Sequence, residues 1–337
     1  MIKFAENYSL LAHNTFGMNV YARYFVEYQS IPELVELLQT DIVKANQLLA
    51  IGSGSNLLFT KDFDGVVIHS KICFYEVTRE TAEHVYVRVG SGIVWDDFCA
   101  AMAARGLGGA ENLSYIPGEI GASAVQNIGA YGVEVADIIS HVETIEIATG
   151  EARIFEVSAC NYGYRESIFK AALKNQYIVT AVVFRLDRTP VFKLDYGNLL
   201  GALEHVHPLT VEAVRKAVIA IRKTKLPEPA ELGNAGSFFK NPLISEMQFN
   251  ELYEKYPTIP HYAAGVGKVK IPAAWFIEQC GWKGKMLGGA AVYEKQPLVL
   301  INQNQATPEQ VQLLATAICT SVFNQFGVTI EPEVNYI

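Results

Sequence analysis

The chain lacks a surplus of positive charge: 27 lysines and arginines face 35 aspartates and glutamates, for a net charge of −8. Binding a nucleic-acid backbone takes a basic surface that releases counterions, so that class of partner is excluded and an anionic ligand must meet a local positive pocket. No run approaches the roughly 18–20 apolar residues that span a bilayer, and Met1-Ile2-Lys3-Phe4-Ala5-Glu6-Asn7 lacks a leader's apolar core. No membrane insertion and a cytoplasmic location are expected. The five cysteines, Cys73, Cys99, Cys160, Cys280 and Cys319, include no C-x-x-C pair, and the histidines form no HExxH. Buried, reduced thiols are expected and no metal site, since His205 and His207 have no third ligand at a recognisable spacing.

What is present is hydrophobic substance. Half of the 337 residues are apolar and only 18% are charged, the reverse of a disordered composition, and the length suggests two or three domains. No repeat of solenoid length and no low-complexity run occurs, so organisation must come from alternating strand and helix signals. Ser30 and Glu33 form a capping-box pattern with Pro32 in the first turn, opening a helix whose Leu34, Leu37 and Leu38 share a face. Leu48 to Ile51 and Val66 to Ile68 read as buried strands, together a β-α-β-like unit. From about residue 84 the signals become those of an α+β domain: a strand at Val85–Val89, a short helix near 94–105, a glycine-rich stretch at 117–132, a hairpin turning at Thr149-Gly150 and a strand from Tyr177 to Leu186. Thr210 caps a helix that stops at Lys225-Leu226-Pro227. Helices from Ile271 to Gly281 and from Thr307 to Gly327 surround a strand at Leu298–Ile301 in the last third.

Two glycine segments carry chemistry. Gly52-Ser53-Gly54-Ser55-Asn56-Leu57 follows a strand but lacks the third glycine of a dinucleotide fingerprint and the helix after it. It reads either as a plain tight turn or as a set of N–H and hydroxyl donors for a pyrophosphate. The second segment runs from Ile116-Pro117-Gly118-Glu119-Ile120-Gly121-Ala122-Ser123 through Ala124-Val125-Gln126-Asn127-Ile128 to Gly129-Ala130-Tyr131-Gly132. Its small residues permit close backbone approach to a flat or phosphorylated ligand. Together they suggest two strips of donors on one long cofactor.

In this order and spacing the two segments resemble the FAD-binding domain of the vanillyl-alcohol-oxidase (PCMH) type, and the detail P-G-x-x-G-A-x-x-x-Q-N-x-G-A-Y-G resembles the MurB reductases. Tyr164-Arg165-Glu166-Ser167-Ile168-Phe169, Gly233 to Pro242 and Glu331-Pro332-Glu333-Val334 extend the likeness along nearly the whole chain. It implies an α+β fold: FAD-binding subdomains at 1–70 and 71–208, a C-terminal α+β substrate-binding domain at 209–327, and a terminal strand at 328–337. It also implies noncovalent FAD held by Gly52, Ser53, Gly54, Ser55, Asn56, Leu57, Pro117, Gly118, Gly121, Ala122, Ser123, Gln126, Asn127, Gly129, Ala130 and Tyr131.

The implied reaction is NADPH-dependent reduction of UDP-N-acetylglucosamine enolpyruvate to UDP-N-acetylmuramate by a monomeric peptidoglycan-synthesis enzyme. Hydride passes from NADPH to FAD and then from flavin N5 to the enolpyruvyl CH₂ carbon. Ser237 is the implied proton donor, Arg165 the stabiliser of the enolate-like intermediate, and Glu333 a second acid or polarising group. On the residues alone, each has an ordinary reading too: a turn serine bonded to its own backbone, a stacked surface arginine, an edge-strand carboxylate. The resemblance also makes Tyr196, Lys225, Asn241 and Gln296 substrate contacts, with Tyr196 marking the longer, type I branch. Glu119 stands where the family usually has a small or hydroxyl residue, and Asn335 where an arginine commonly follows. A flavin-dependent hydroxy-acid or sugar oxidase on the same scaffold is the competing enzyme, and a nucleotide-sugar- or flavin-binding protein without turnover the competing non-enzyme.

Overall fold

A computed structural model describes residues 2–337, so that Met1 of the N-terminal reading lies outside the described residues. The chain divides into two units, neither of them contiguous. The first comprises Met1–Ser9, Tyr21–Ser53 and Phe63–Lys223; the second comprises Leu10–Val20, Gly54–Asp62 and Thr224–Ile337.

The first unit holds two principal sheets. One has the order Ala5–Ser9, Tyr21–Tyr28, Phe63–Ser70, Gln47–Ile51, in which the last three strands run parallel. Parallel strands need a crossover, and the helices Ile31–Leu38 and Asp41–Ala45 supply the one from Tyr21–Tyr28 to Gln47–Ile51, which flank Phe63–Ser70 on either side. Ser30 accepts from the Glu33 amide at the helix start, and Leu34, Leu37 and Leu38 are buried on one face. The strand that opens this β-α-β unit, Tyr21–Tyr28, was not among the expected ones. Register then places Glu27 and Ile51 on either side of His69 at the carboxyl ends of the parallel strands, the edge at which open α/β sheets bind ligands.

The second sheet is antiparallel, ordered Ala152–Glu156, Ile139–Glu146, Tyr177–Asp187, His84–Gly90, Tyr75–Glu80. Tyr177–Asp187 is its central strand and is buried over almost its full length. Trp95, Phe98 and Met102 from helix Trp95–Ala104 pack with Phe184, Val87 and Val182 in its core. Burying side chains of this size contributes about 1.5–3 kcal/mol each.

In the second unit, Asn234–Ser237, Val299–Asn302, Ala290–Val292 and Met286–Leu287 form one antiparallel sheet. Helix Pro308–Phe326 has both of its sequence signals in place: Thr307 and Gln310 complete a capping box, and Gly327 ends the helix at φ +67°. The other helix begins at Ala273 rather than Ile271, because Pro272 occupies the N-cap, and ends at Gln279. Tyr256, Trp275, Phe276 and Phe326 make an aromatic cluster with ring centroids 5.1–5.5 Å apart. Asn14 organises Leu10–Val20 from inside, donating to the Leu10 and Met18 carbonyls and accepting from the Met18 amide.

All five thiols are free, but the expectation that they are buried holds only for Cys99 and Cys160. Cys73 is exposed because it lies in the link between strands Phe63–Ser70 and Tyr75–Glu80, and Cys280 and Cys319 are half-buried. Among the described residues no helix is long and apolar enough to cross a membrane, and no His, Cys, Asp and Glu group could hold a metal.

Candidate active site

The long glycine segment belongs to the first unit and folds as an extended entry, the short helix Ile120–Gln126, and a turn. Gly118 at φ +133° and Gly132 at φ +77° take backbone conformations that side chains resist. Asn127, fully buried, adopts a left-handed φ of +49°. Its Nδ2 donates to Glu134 Oε2 (2.8 Å) and the Gly163 carbonyl (2.7 Å), while its Oδ1 accepts from the Ala136 amide (3.2 Å). That side chain braces the loop rather than reaching outward. Ser123 does likewise, donating to the Ile120 carbonyl at 2.7 Å, and Gln126 accepts from Lys170 at 2.8 Å.

Arg165 sits at the tip of a tight turn closed by reciprocal backbone bonds between Gly163 and Glu166. Its φ of +58° is uncommon for a residue with a Cβ, and such conformations concentrate at functional sites. The guanidinium donates to the Gly129 carbonyl (2.7 Å) and the Asn127 carbonyl (3.4 Å). A Cβ on Gly129 would lie 2.8 Å from Arg165 Nη1, so a side chain there would push the guanidinium from its place on the loop. The first unit thus brings Arg165 to the glycine segment. Arg222, which the sequence reading passed over, is a second cation there. Burial draws its guanidinium below the ordinary range, with Tyr131, Asp96 and Arg165 in electrostatic reach, and its Nε donates to the Tyr115 carbonyl at 3.1 Å. A lone arginine on an amphipathic helix gave no signal of this.

The other glycine turn is divided between the units: Gly52 and Ser53 belong to the first, Gly54 to Leu57 to the second. Gly54 is obligatory, since at φ +69° its Cβ would lie 1.9 Å from the His13 carbonyl oxygen. The Ser53 hydroxyl is buried with no hydrogen-bond partner. An orphaned donor in this turn is what a bound pyrophosphate oxygen would satisfy, so the residues present fit a dinucleotide. Asn56 instead serves the fold of the second unit, donating to the Glu333 carbonyl at 3.3 Å and accepting from the Asn335 amide at 3.1 Å. Leu57 pairs in parallel with Asn335, so the latter's role is one of strand pairing.

Ser237 and Glu333 both belong to the second unit. Ser237 ends the strand Asn234–Ser237 opposite Val299, after Gly236 at φ +67°. The Glu333 amide donates to the Phe238 carbonyl at 2.7 Å, Phe239 bridges to Pro332, and the Lys240 amide donates to the Glu331 carbonyl at 2.9 Å. The tail carrying Glu333 is therefore zipped beside the residues that follow Ser237. Ser237 is half-exposed and its hydroxyl makes no hydrogen bond among the described residues, whereas a turn serine of the ordinary kind would be bonded to its own backbone.

The four remaining positions differ in character. Tyr196 is exposed, in the irregular stretch before helix Leu199–Leu203, with its ring edge-on to Tyr131 at 6.4 Å. Lys225 is the exposed last residue of helix Val211–Lys225. Asn241 accepts from the Ala273 amide at 2.9 Å through Oδ1, fixing a helix entry. Gln296 folds over its own turn, accepting from the Leu298 amide at 3.4 Å.

Two family profiles match the chain: an FAD binding domain over residues 22–158, and the C-terminal domain of UDP-N-acetylenolpyruvoylglucosamine reductase over residues 228–337. The UDP-N-acetylenolpyruvoylglucosamine reductase of Bacteroides fragilis is 51% identical over 98% of this chain and 99% of its own. That of Amoebophilus asiaticus is 45% identical over 98% of each. The crystal structure of the corresponding Thermus caldophilus reductase superposes with a TM-score of 0.69 at 21% identity, covering 100% of this chain and 98% of that one. The α+β architecture, an FAD-binding portion followed by a family-specific C-terminal domain, agrees with the expected fold class.

Proposed function

The chain belongs to the UDP-N-acetylenolpyruvoylglucosamine reductase family, and from that membership we propose that it reduces UDP-N-acetylglucosamine enolpyruvate to UDP-N-acetylmuramate with electrons from NADPH. It is a flavin-dependent oxidoreductase of peptidoglycan synthesis. FAD, when bound, supplies the two-electron chemistry between the nicotinamide and the vinyl carbon. The chain's own contribution is to orient the enol ether, to stabilise the negative charge that develops in its carboxylate, and to deliver a proton to the adjacent carbon.

Ser237 Oγ holds that proton. The observation that carries this reading is that the hydroxyl makes no hydrogen bond within the chain, at a strand end braced by the Glu333 tail. Arg165, fixed over the Gly129 carbonyl, stabilises the enolate-like charge, and Glu333 polarises the serine side of the reaction. Lys225 and Tyr196 hold the diphosphate and its flanks, Asn241 and Gln296 the remaining substrate contacts. Gly52–Leu57 and Pro117–Tyr131 hold FAD noncovalently. Ser53 takes part through its hydroxyl, and Asn127 through loop geometry, because its side chain is occupied within the chain.

Flavin released from purified protein by heat, and NADPH oxidation that proceeds only when the enol ether is present, are the expected results. Rapid reoxidation of the reduced protein by oxygen, with none by the enol ether, would favour the oxidase reading instead.

A further inference from the structure

Glu119 breaks the pattern of small residues in the glycine segment, and its surroundings give the reason. It stands immediately before helix Ile120–Gln126, yet its side chain does not cap that helix. It turns instead toward strand Phe63–Ser70, where Oε1 lies 2.9 Å from His69 Nε2. His69 Nδ1 in turn lies 3.1 Å from Glu27 Oε1, which also faces Lys71 Nζ at 3.3 Å. Glu119 is only 6% exposed and His69 only 3%.

The second carboxylate oxygen has no such partner. Oε2 lies 3.2 Å from where a Cβ on Gly52 would be, against the turn whose Ser53 hydroxyl is orphaned; no group among the described residues donates to it, and unlike that hydroxyl it is not fully enclosed by the protein. A carboxylate oxygen held at the open edge of that turn is an acceptor that a bound ligand can reach. A phosphate cannot donate to it, being itself an acceptor of the same charge; a hydroxyl can, as a ribose hydroxyl does to the carboxylate that binds it in dinucleotide-binding folds. We propose that Glu119 is a cofactor-specificity residue whose Oε2 accepts a hydrogen bond from a sugar-alcohol hydroxyl of FAD, on its ribityl chain or its ribose, with His69 as the positioning residue. The inference rests on the FAD reading above.

The test is FAD affinity of the flavin-stripped chain, read by quenching of flavin fluorescence, alongside analogues lacking the ribityl 2′-hydroxyl, 3′-hydroxyl or 4′-hydroxyl or a ribose hydroxyl. Removing the charge in Glu119→Gln weakens FAD about ten- to a hundredfold, the worth of a hydrogen bond to a charged group. One analogue weakens wild-type binding by a similar factor but is indistinguishable from FAD on Glu119→Gln, and that analogue identifies the hydroxyl. His69→Gln, which keeps an N–H toward Glu119, retains tighter binding than His69→Ala. Unchanged FAD affinity in Glu119→Gln, or equal weakening across all analogues, overturns the proposal. Should the variants not fold, wild-type chain that binds every deoxy analogue as tightly as FAD overturns it as well. Purified wild-type protein that carries and binds no flavin is a different failure, that of the FAD reading itself.

Discussion

The glycine segment of the first unit and the Ser237–Glu333 seam of the second are both built from small residues, but they are held in opposite ways. In the former, side chains do the bracing: Asn127, Ser123, Lys170 and Arg165 all bond to loop backbone or to one another's neighbours. In the latter the backbone does most of the bracing, through the Glu333 amide on Phe238, the Lys240 amide on Glu331 and the Phe239–Pro332 bridge, with Asn56 Nδ2 on the Glu333 carbonyl as a side-chain addition. A loop held by side chains has a conformation that substitution can undo. A seam held by backbone can leave a side chain such as that of Ser237 without a structural duty.

The largest expected effect comes from the seam. Ser237→Ala removes the proposed proton donor, a role worth about 10²–10⁴ in rate, yet it breaks no hydrogen bond among the described residues. Anaerobic stopped-flow should show reoxidation of the reduced flavin by the enol ether slowed by that factor, while urea unfolding shifts by less than about 0.5 kcal/mol. A large stability loss would break the comparison, and near wild-type reoxidation would remove Ser237 from the mechanism. Next comes Asn127→Ala, which deletes three part-buried hydrogen bonds and leaves Glu134, the Gly163 carbonyl and the Ala136 amide without that partner. It should cost about 3 kcal/mol in unfolding and lower flavin content with it. A variant as stable as wild type would show that the segment is not held by side chains after all. The smallest effect is that of Lys225→Ala: an exposed lysine at a helix end should raise the KM for the sugar nucleotide severalfold and leave flavin reduction by NADPH unchanged. Equal loss in both half-reactions would mean that the lysine does not discriminate between the two ligands.

Much of the fold was legible because its signals are local. Ser30, Thr307 and Gly327 mark helix ends by rules that need only neighbouring residues, and the strands Gln47–Ile51 and Tyr177–Asp187 announced themselves as apolar runs. Tyr21–Tyr28 did not, because its charged and aromatic residues interrupt both an apolar run and a clean alternation. The candidate site was legible as motifs but not as geometry. Nothing near Asn127 in the sequence says that its amide is engaged three times over, and nothing near Glu119 points to His69, 50 residues earlier. The exposure of Cys73 was missed for the same reason: a cysteine's usual burial says nothing of a particular interstrand link.

The composition of the second unit has a consequence for how the chain is made. Thr60 donates twice to the Ile337 carbonyl, from its amide at 2.8 Å and its hydroxyl at 2.7 Å, across a separation of 277 residues. Leu57 and Leu58 pair with Asn335 and Tyr336, while the Asn234 amide donates to the Thr15 carbonyl. At about 5–20 residues per second of synthesis, Gly54–Asp62 waits roughly 15–55 s on the ribosome before its C-terminal partners exist. During that interval Leu57, Leu58 and Phe59, the last two fully buried in the finished protein, have only Leu10–Val20 of their own unit beside them. The segment that carries half of the glycine and serine turn is thus also a place where the nascent chain is open to a chaperone.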